Sequence, residues 1–269
     1  AQGICKLKAI SATRHDIDCN TKPNMYSRGT PPAKRLSTSA VDERMNRAVN
    51  GGGSAYPKLT IWYLDHHFWR AECMRIPLFM RGIPFEDSRC GWEQMHASGM
   101  LHFGTCPALE VDGRSINQTH AAAAYVGKLT GMYPSDPWLA AKVDEVFAGL
   151  TDATELVTGT MGIRDPNRKI QVRQQLTAPD GRLTMFLTGI EGVLMQNGAN
   201  GFVAGDTVTV ADFALWRAVG WLSSGIIDGI SPDYISVMFP TLWKLHCMID
   251  IMPEVQSYKQ RHPHHYRRR

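Results

Sequence analysis

The sequence predicts a mixed α/β domain followed by an all-α domain, behind a flexible amino-terminal extension. Three observations predict this class. Runs of strand-forming residues occur between residues 58 and 117, helical patterns broken by Gly and Pro fill the chain from there to residue 258, and residues 1–55 show neither pattern. The 269 residues, 43% hydrophobic and 20% charged, are enough for one large or two modest domains.

Residues 1–55 form the predicted extension. They hold nine Lys and Arg against four acidic residues and end in the glycine run of Asn50–Ser54, which is typical of a flexible hinge. We therefore expect this segment to be disordered by itself. Its basic, hydroxyl-rich composition also suits a targeting peptide, but four acidic residues are more than such peptides usually carry. We expect a cytoplasmic protein, with mitochondrion or plastid as the alternative.

The α/β domain opens with a strand at Leu59–Leu64, which is rich in strand-forming residues. A helix is predicted over Arg70–Arg81, kinked at Pro77 and ending at Gly82. Asp112-Gly113 is typical of a two-residue hairpin turn, and helix resumes near Thr119. The further predicted strands are Phe85–Arg89, Ala108–Val111 and Arg114–Asn117.

The second half of the chain is predicted to contain only helices, after a linker at Met132–Pro137. Thr209 and Asp212 have the spacing of a helix capping box. The α/β domain is placed at residues 56–134 and the helical domain at residues 135–258.

A basic tail at residues 259–269 completes the predicted organisation. It carries five basic and no acidic residues, so the net charge of +4 resides at the two ends, and the middle of the chain is mildly acidic. This distribution does not predict nucleic-acid binding. No run approaches the ~18 to 20 apolar residues of a membrane-spanning helix. We expect a solvated tail, with docking to an acidic partner as the alternative.

Two segments predict a site for an anionic, peptide-like ligand. Gln118 and Thr119 end a strand and begin a helix, so a hydroxyl and backbone N–H groups face a position where the helix dipole favours a carboxylate. Helix capping by Thr119 is the alternative. Pro107 stands at a strand entry, where a cis bond would leave the N–H and C=O of Cys106 free to pair with such a ligand. An ordinary trans strand start is the alternative.

In this order and spacing, the proline strand, the hairpin and the Gln-Thr pair resemble the glutathione site of the glutathione transferase family. The resemblance continues through Ala141–Val146 and returns at Gly205–Asp212, so that it spans Lys58 to Tyr258. It implies a thioredoxin-like first domain, a helical second domain, and glutathione as the co-substrate.

Within the family, the chain is most similar to the tyrosine-type classes, sigma above all, because Tyr63 precedes an Arg70-Ala71-Glu72 helix start. The resemblance implies that the Tyr63 hydroxyl favours glutathione thiolate over thiol and that Arg70 steadies the tyrosine. Lowering a thiol pKa by about two units corresponds to ~2.7 kcal/mol. The residues implied to bind glutathione are Trp92, His96, Cys106, Pro107, Gln118 and Thr119, with Asp152 reaching the site from the other subunit of a homodimer.

The chain departs from the family pattern around this site. The loop between Tyr63 and Arg70 is one residue longer than usual and bulky, His96 replaces a usual lysine, and Thr105 replaces a common Gln or Lys. These departures, together with the two basic ends, favour an alternative in which the chain is a non-catalytic, glutathione-transferase-like subunit of a larger assembly.

We predict an enzyme that conjugates glutathione thiolate to electrophilic, mostly apolar substrates, as in detoxification. A glutathione-dependent isomerase or peroxidase is a further alternative. No metal site is predicted, since no spacing places three of the histidines on one face. The histidines considered are His66, His67, His96 and His102.

Overall fold

The computed structural model describes residues 56–266. The expected extension at residues 1–55 and the last three residues of the basic tail lie outside this part of the chain. Among the described residues, no helix is long and apolar enough to cross a membrane.

Four short strands form one mixed sheet, as the sequence predicts. The central strand β1 (Leu59–Tyr63) pairs in parallel with β2 (Glu86–Arg89) and antiparallel with β3 (Ala108–Val111), and β4 (Arg114–Asn117) pairs antiparallel with β3. The sheet order is therefore β2-β1-β3-β4. The hairpin between β3 and β4 turns at Asp112 and Gly113, whose φ angles of 49° and 78° are those of the predicted two-residue turn.

Three helices accompany the sheet: α1 (Trp69–Met80), α2 (Trp92–Ala97) and α3 (Thr119–Thr130). Helix α1 continues past Pro77 and ends where predicted, because Gly82 takes a positive φ of 63° that only glycine adopts without strain. The inner face of α1 is buried against the sheet and against the second domain.

The second domain is helical, and no strand follows β4 within residues 56–266. Its elements are α4 (Pro137–Thr158), a 3-10 turn (Gly159–Gly162), α5 (Pro166–Leu176), α6 (Arg182–Gln196), α7 (Val210–Leu222), α8 (Tyr234–Met238), α9 (Pro240–Asp250), α10 (Pro253–Arg261) and α11 (Pro263–Tyr266).

Helix α7 lies in the centre of the molecule and packs against α1, α4 and α9. Its first turn contains the predicted capping pair. The fully buried carboxylate of Asp212 accepts hydrogen bonds from the Thr209 N–H at 2.6 Å, the Thr209 hydroxyl at 2.8 Å and the Val203 N–H at 2.7 Å. This network fixes the start of α7, and α7 in turn supports the back of α1.

The basic tail does not begin as the expected solvated end. Residues 259–261 end α10, which packs on α1, and residues 263–266 form α11, whose side chains bond to Glu72 and Arg89 of the first domain. The Tyr258 ring, just before this segment, is 1% exposed and lies 5.2 Å from the Phe79 ring of α1, measured between ring centroids. Tyr266 reaches further and bonds to Glu72 in the same helix. Aromatic side chains thus hold this segment against α1. Its basic composition had instead predicted a solvated end.

Candidate functional site

The predicted ligand-binding residues lie at one end of the sheet. In the strand register, Trp62 of β1 pairs with Ala108 of β3, and Ala108 pairs with Asn117 of β4. The end of β1, the entry to β3 and the end of β4 therefore lie side by side. The predicted site residues at or just beyond these strand ends are Tyr63, Cys106, Pro107, Gln118 and Thr119.

The outer strand β2 brings α2 to the same end of the sheet. Tyr63 pairs in parallel with Arg89, so the chain leaves β2 beside the end of β1 and enters α2 at Trp92. Trp92 is 46% exposed, and the rings of Trp92 and His96 are 6.4 Å apart. Both aromatic side chains are accessible beside the edge strand β2. Gln118 lies at the opposite edge, after β4.

Gln118 has an unusual backbone conformation, with φ of 68° and ψ of 122°. A non-glycine residue at positive φ is a sparsely populated conformation that is concentrated at functional sites. Here it turns the chain from β4 directly into α3. The first helical residue, Thr119, is 5% exposed, and its hydroxyl bonds to no other described residue. Capping of α3 by Thr119 is therefore not what the structure shows, and the free N–H groups at this helix start suit an anion.

Cys106 and Pro107 are joined by a cis peptide bond. Pairing of β3 with its neighbours begins at Ala108, and neither the N–H nor the C=O of Cys106 forms a backbone hydrogen bond with the described residues. Both groups are thus free to pair with an extended ligand, as the sequence predicts. Burial raises the pKa of the Cys106 thiol, so this residue stays protonated at neutral pH.

Tyr63 is almost completely buried. Its side chain is 3% exposed, with the His66 ring stacked at 5.0 Å and the Arg75 guanidinium 5.7 Å from the ring centroid. The hydroxyl bonds to no other described residue. Burial raises the pKa of Tyr63, and the neighbouring Cys106 adds to the rise. The phenol is therefore neutral at physiological pH and can act only as a hydrogen-bond donor to an anion.

The ion-pair partner of Arg70 in the structure is Glu155 of α4, with Nη2 of Arg70 and Oε1 of Glu155 2.7 Å apart. The Arg70 guanidinium lies 4.7 Å from the Trp69 ring centroid. Arg70 consequently links the two domains, although its charge also opposes the rise in the pKa of Tyr63. Asp152 lies one turn before Glu155 on the exposed surface of α4.

The side chains that hold the loop Leu64–Phe68 were not predicted from the sequence. Arg75 of α1 donates to the His66 carbonyl at 3.1 Å, and Arg217 of α7 donates to the His67 carbonyl at 2.8 Å. Arg217 is 150 residues from its partner. No local motif predicts such a contact, because an isolated arginine in a helix has the same sequence pattern whether it lies on the surface or bonds to a distant loop.

Within residues 56–266, no group of three or more His, Cys, Asp or Glu side chains is arranged to hold a metal ion. The functional groups at the end of the sheet are instead backbone N–H groups, a hydroxyl, a phenol and aromatic faces. Such a set is suited to binding a peptide-like anion.

Comparison with known proteins agrees with this architecture. Residues 161–262 match the family model described as glutathione S-transferase, C-terminal domain. Glutathione S-transferase A1 of Mus musculus is 26% identical over 195 residues, which cover 71% of this chain and 83% of the mouse protein. The chain is therefore similar to glutathione transferases in the sequence of its helical domain and in its two-domain fold.

Solved structures show the same fold. The prostaglandin synthase D of Nilaparvata lugens superposes with a TM-score of 0.64 at 20% identity, covering 77% of this chain and 99% of the other. A monomeric glutathione S-transferase from the hookworm Necator americanus gives a TM-score of 0.62 at 21% identity, covering 77% and 98%.

Proposed function

We propose that this protein is a glutathione transferase of the tyrosine type, similar to the sigma class. It would bind glutathione at the end of the sheet, favour its thiolate form, and conjugate it to electrophilic, mostly apolar substrates. The observation that carries the proposal is the meeting of three features at one sheet end: the strained Gln118 backbone at the start of α3, the unpaired backbone of Cys106, and the neutral phenol of Tyr63.

The proposed pose follows the sheet order. The γ-glutamyl end of glutathione lies at Gln118 and Thr119, where the amino end of α3 favours its carboxylate. The backbone of Cys106 pairs with the central peptide unit, as an added strand would. Trp92 and His96 receive the glycine end. The cysteine thiol then points toward β1 and Tyr63.

The first test compares the parent protein with Tyr63→Phe. The substitution removes only the hydroxyl, so it removes the proposed donor to the thiolate while keeping the ring. We expect kcat/KM with a standard electrophile to fall roughly 10- to 150-fold, since a hydrogen bond to a charged group contributes about 1.5 to 3 kcal/mol. Retention on immobilised glutathione should persist. Equal rates for the two proteins would rule out this role of Tyr63.

A specific observation favours a second candidate function, that of a non-catalytic glutathione-binding protein. Tyr63 is 3% exposed beneath the longer loop, and Arg70 is paired with Glu155. In that case the parent would be retained on immobilised glutathione but would conjugate no electrophile. Failure of the parent to bind glutathione at all would exclude both candidates and favour a purely structural subunit.

A further inference from the structure

The loop Leu64–Phe68 lies between two predicted catalytic residues, Tyr63 at the end of β1 and Arg70 in the first turn of α1. Two arginines hold successive carbonyl groups of this loop: Arg75 donates to His66 and Arg217 donates to His67. The position of the loop relative to β1 thus depends on what holds these two arginines.

Tyr266 of α11 contacts Arg217 directly and Arg75 through Glu72. Its hydroxyl donates to Oε2 of Glu72 at 2.6 Å. The Arg217 guanidinium lies 5.8 Å from the Tyr266 ring centroid, and the ring of His67, whose carbonyl Arg217 holds, lies 5.1 Å away. One aromatic side chain therefore packs on the loop, on the cation from α7 and on the carboxylate from α1.

Glu72 transmits the contact to the loop. This carboxylate is fully buried, and its Oε1 accepts from Arg75 Nη1 at 3.0 Å, the same nitrogen that donates to the His66 carbonyl. Among the described residues, the Tyr266 hydroxyl is the group that donates a hydrogen bond to Glu72 Oε2. Burial and the nearby Glu72 raise the pKa of Tyr266, so the phenol remains a donor across the physiological range.

A second contact from α11 reaches the first residues of the loop. Arg89, at the end of β2, donates from Nη1 to Nε2 of His265 at 2.9 Å and pairs with Asp65 at 3.4 Å. The His265 ring also lies 5.6 Å from the His67 ring. Helix α11 therefore contacts the loop at Asp65 and at His67, although it is only four residues long.

We propose that Tyr266 is a positioning residue of the active site: through Glu72, Arg75 and Arg217 it holds the loop Leu64–Phe68 in the position that places Tyr63 for thiolate stabilisation. The proposal rests on the proposed transferase function for its catalytic consequence. The structural part, that Tyr266 holds the loop, does not depend on that function and is tested separately.

The structural test is hydrogen exchange in the full-length protein, comparing Tyr266→Phe with Tyr234→Phe. Tyr234 is a matched control, because its hydroxyl forms a 2.7 Å hydrogen bond with Thr184 inside the helical domain, remote in sequence from the loop. In Tyr266→Phe we expect the His66 amide, which donates to the Leu64 carbonyl at 2.8 Å, to exchange about tenfold faster or more, as loss of a hydrogen bond to a charged group predicts. Tyr234→Phe should leave this rate unchanged.

Two results would overturn the proposal. One is unchanged exchange of the His66 amide in Tyr266→Phe. The other is an equal acceleration throughout β1 and α1, which would show that the hydroxyl supports global stability and does not hold the loop. If Tyr266→Phe does not fold, Arg217→Lys serves instead, since Arg217 is the link between the Tyr266 ring and the His67 carbonyl. It should accelerate exchange of the His66 amide, and no acceleration would count against the proposal.

The catalytic consequence is read from the pH dependence of conjugation. A displaced Tyr63 stabilises the thiolate less, so the half-rise of kcat/KM should move to higher pH in Tyr266→Phe, toward the pKa of a free thiol. The KM for glutathione should change less than kcat, and Tyr234→Phe should match the parent. An unshifted profile in an active Tyr266→Phe enzyme refutes the catalytic role. An inactive parent refutes the proposed function, but the exchange experiment still tests whether Tyr266 holds the loop.

Discussion

At the scale of single residues, Gln118 shows how backbone conformation and ligand chemistry meet. Its φ of 68° is one that glycine adopts freely and other residues adopt at a cost. For an L-residue that cost is roughly 1 to 2 kcal/mol. Glutamine rather than glycine is explained at this position if its side-chain amide contacts a ligand bound at the short turn from β4 to α3.

The Gln118→Gly variant separates the cost of the strained backbone from the contribution of the side-chain amide to ligand binding. We expect the free energy of unfolding to rise by up to about 1 kcal/mol, because the relief of strain exceeds the added entropy of glycine in the unfolded chain. Glutathione affinity should fall about tenfold through loss of a side-chain hydrogen bond. Urea unfolding and titration calorimetry measure the two effects. Gln118→Ala is the control, since it removes the amide but keeps the strain. A glycine variant that binds as tightly as the parent would exclude the amide as a contact.

At the scale of elements, the start of α7 depends on one buried carboxylate. Asp212 receives three hydrogen bonds from Thr209 and Val203, yet burial still raises its pKa to about 6. The folded state therefore binds this proton more tightly than the unfolded chain, in which the pKa is about 3.8. The stability that the proton contributes is fully present below pH ~3.8 and is lost as the pH rises through ~6.

The corresponding prediction compares the parent with Asp212→Asn, which cannot ionise. Between pH 4 and pH 7 the parent should lose about 2 to 3 kcal/mol of unfolding free energy relative to the variant, from 1.36 kcal/mol for each pKa unit. Urea denaturation at a series of pH values gives this difference. Thr184→Ser, a conservative change elsewhere in the helical domain, should keep the slope of the parent. Parallel curves for parent and Asp212→Asn would show that the buried carboxyl titrates at its ordinary pH.

At the scale of the whole molecule, side-chain contacts join the two domains on both sides of the loop Leu64–Phe68. Arg70 pairs with Glu155 of α4, and Arg217 of α7 bonds to the His67 carbonyl. The first pair is partly exposed and contributes at most ~1 kcal/mol, whereas the second holds a backbone group within the packed interface. The helical domain therefore shapes the proposed catalytic loop.

The predicted homodimer remains a whole-molecule proposal, which Asp152 makes testable. Asp152 lies on the exposed surface of α4 and would reach the γ-glutamyl end of glutathione in the other subunit. In a mixed dimer of Asp152→Asn and Gln118→Ala chains, one site regains both native residues. Random exchange makes about half of the dimers mixed, so we expect a 1:1 mixture to show about a quarter of the parent activity per dimer, well above that of either variant alone.

Sedimentation of the parent provides the control for this mixing experiment, because complementation requires a dimer. A mixture whose activity equals the sum of its components would contradict a shared site. A monomeric parent would contradict the homodimer itself, and the hookworm glutathione S-transferase named above as monomeric shows that this fold does not require one.

The sequence by itself determined the four strands to within a residue or so, the Asp112-Gly113 hairpin, the helical second half and the capping pair of α7. These features depend on alternation, turn preferences and short spacings, which are local and can be recognised in one stretch of chain. The same local signals located the junction of β4 with α3, but they left the Cys106–Pro107 bond open between cis and trans until the structure showed it to be cis.

Only the tertiary structure decided the surroundings of Tyr63 and the role of the last helices. Arg70 meets Glu155 85 residues away, Arg217 bonds to a carbonyl 150 residues away, and Tyr266 reaches Glu72 across 194 residues. Contacts at such separations leave no periodic pattern, because their partners are brought together by the packing of α1, α7 and α11. The physical reason is that burial, which makes the Glu72 carboxylate require hydrogen-bond donors such as the Tyr266 hydroxyl, exists only once the chain is folded.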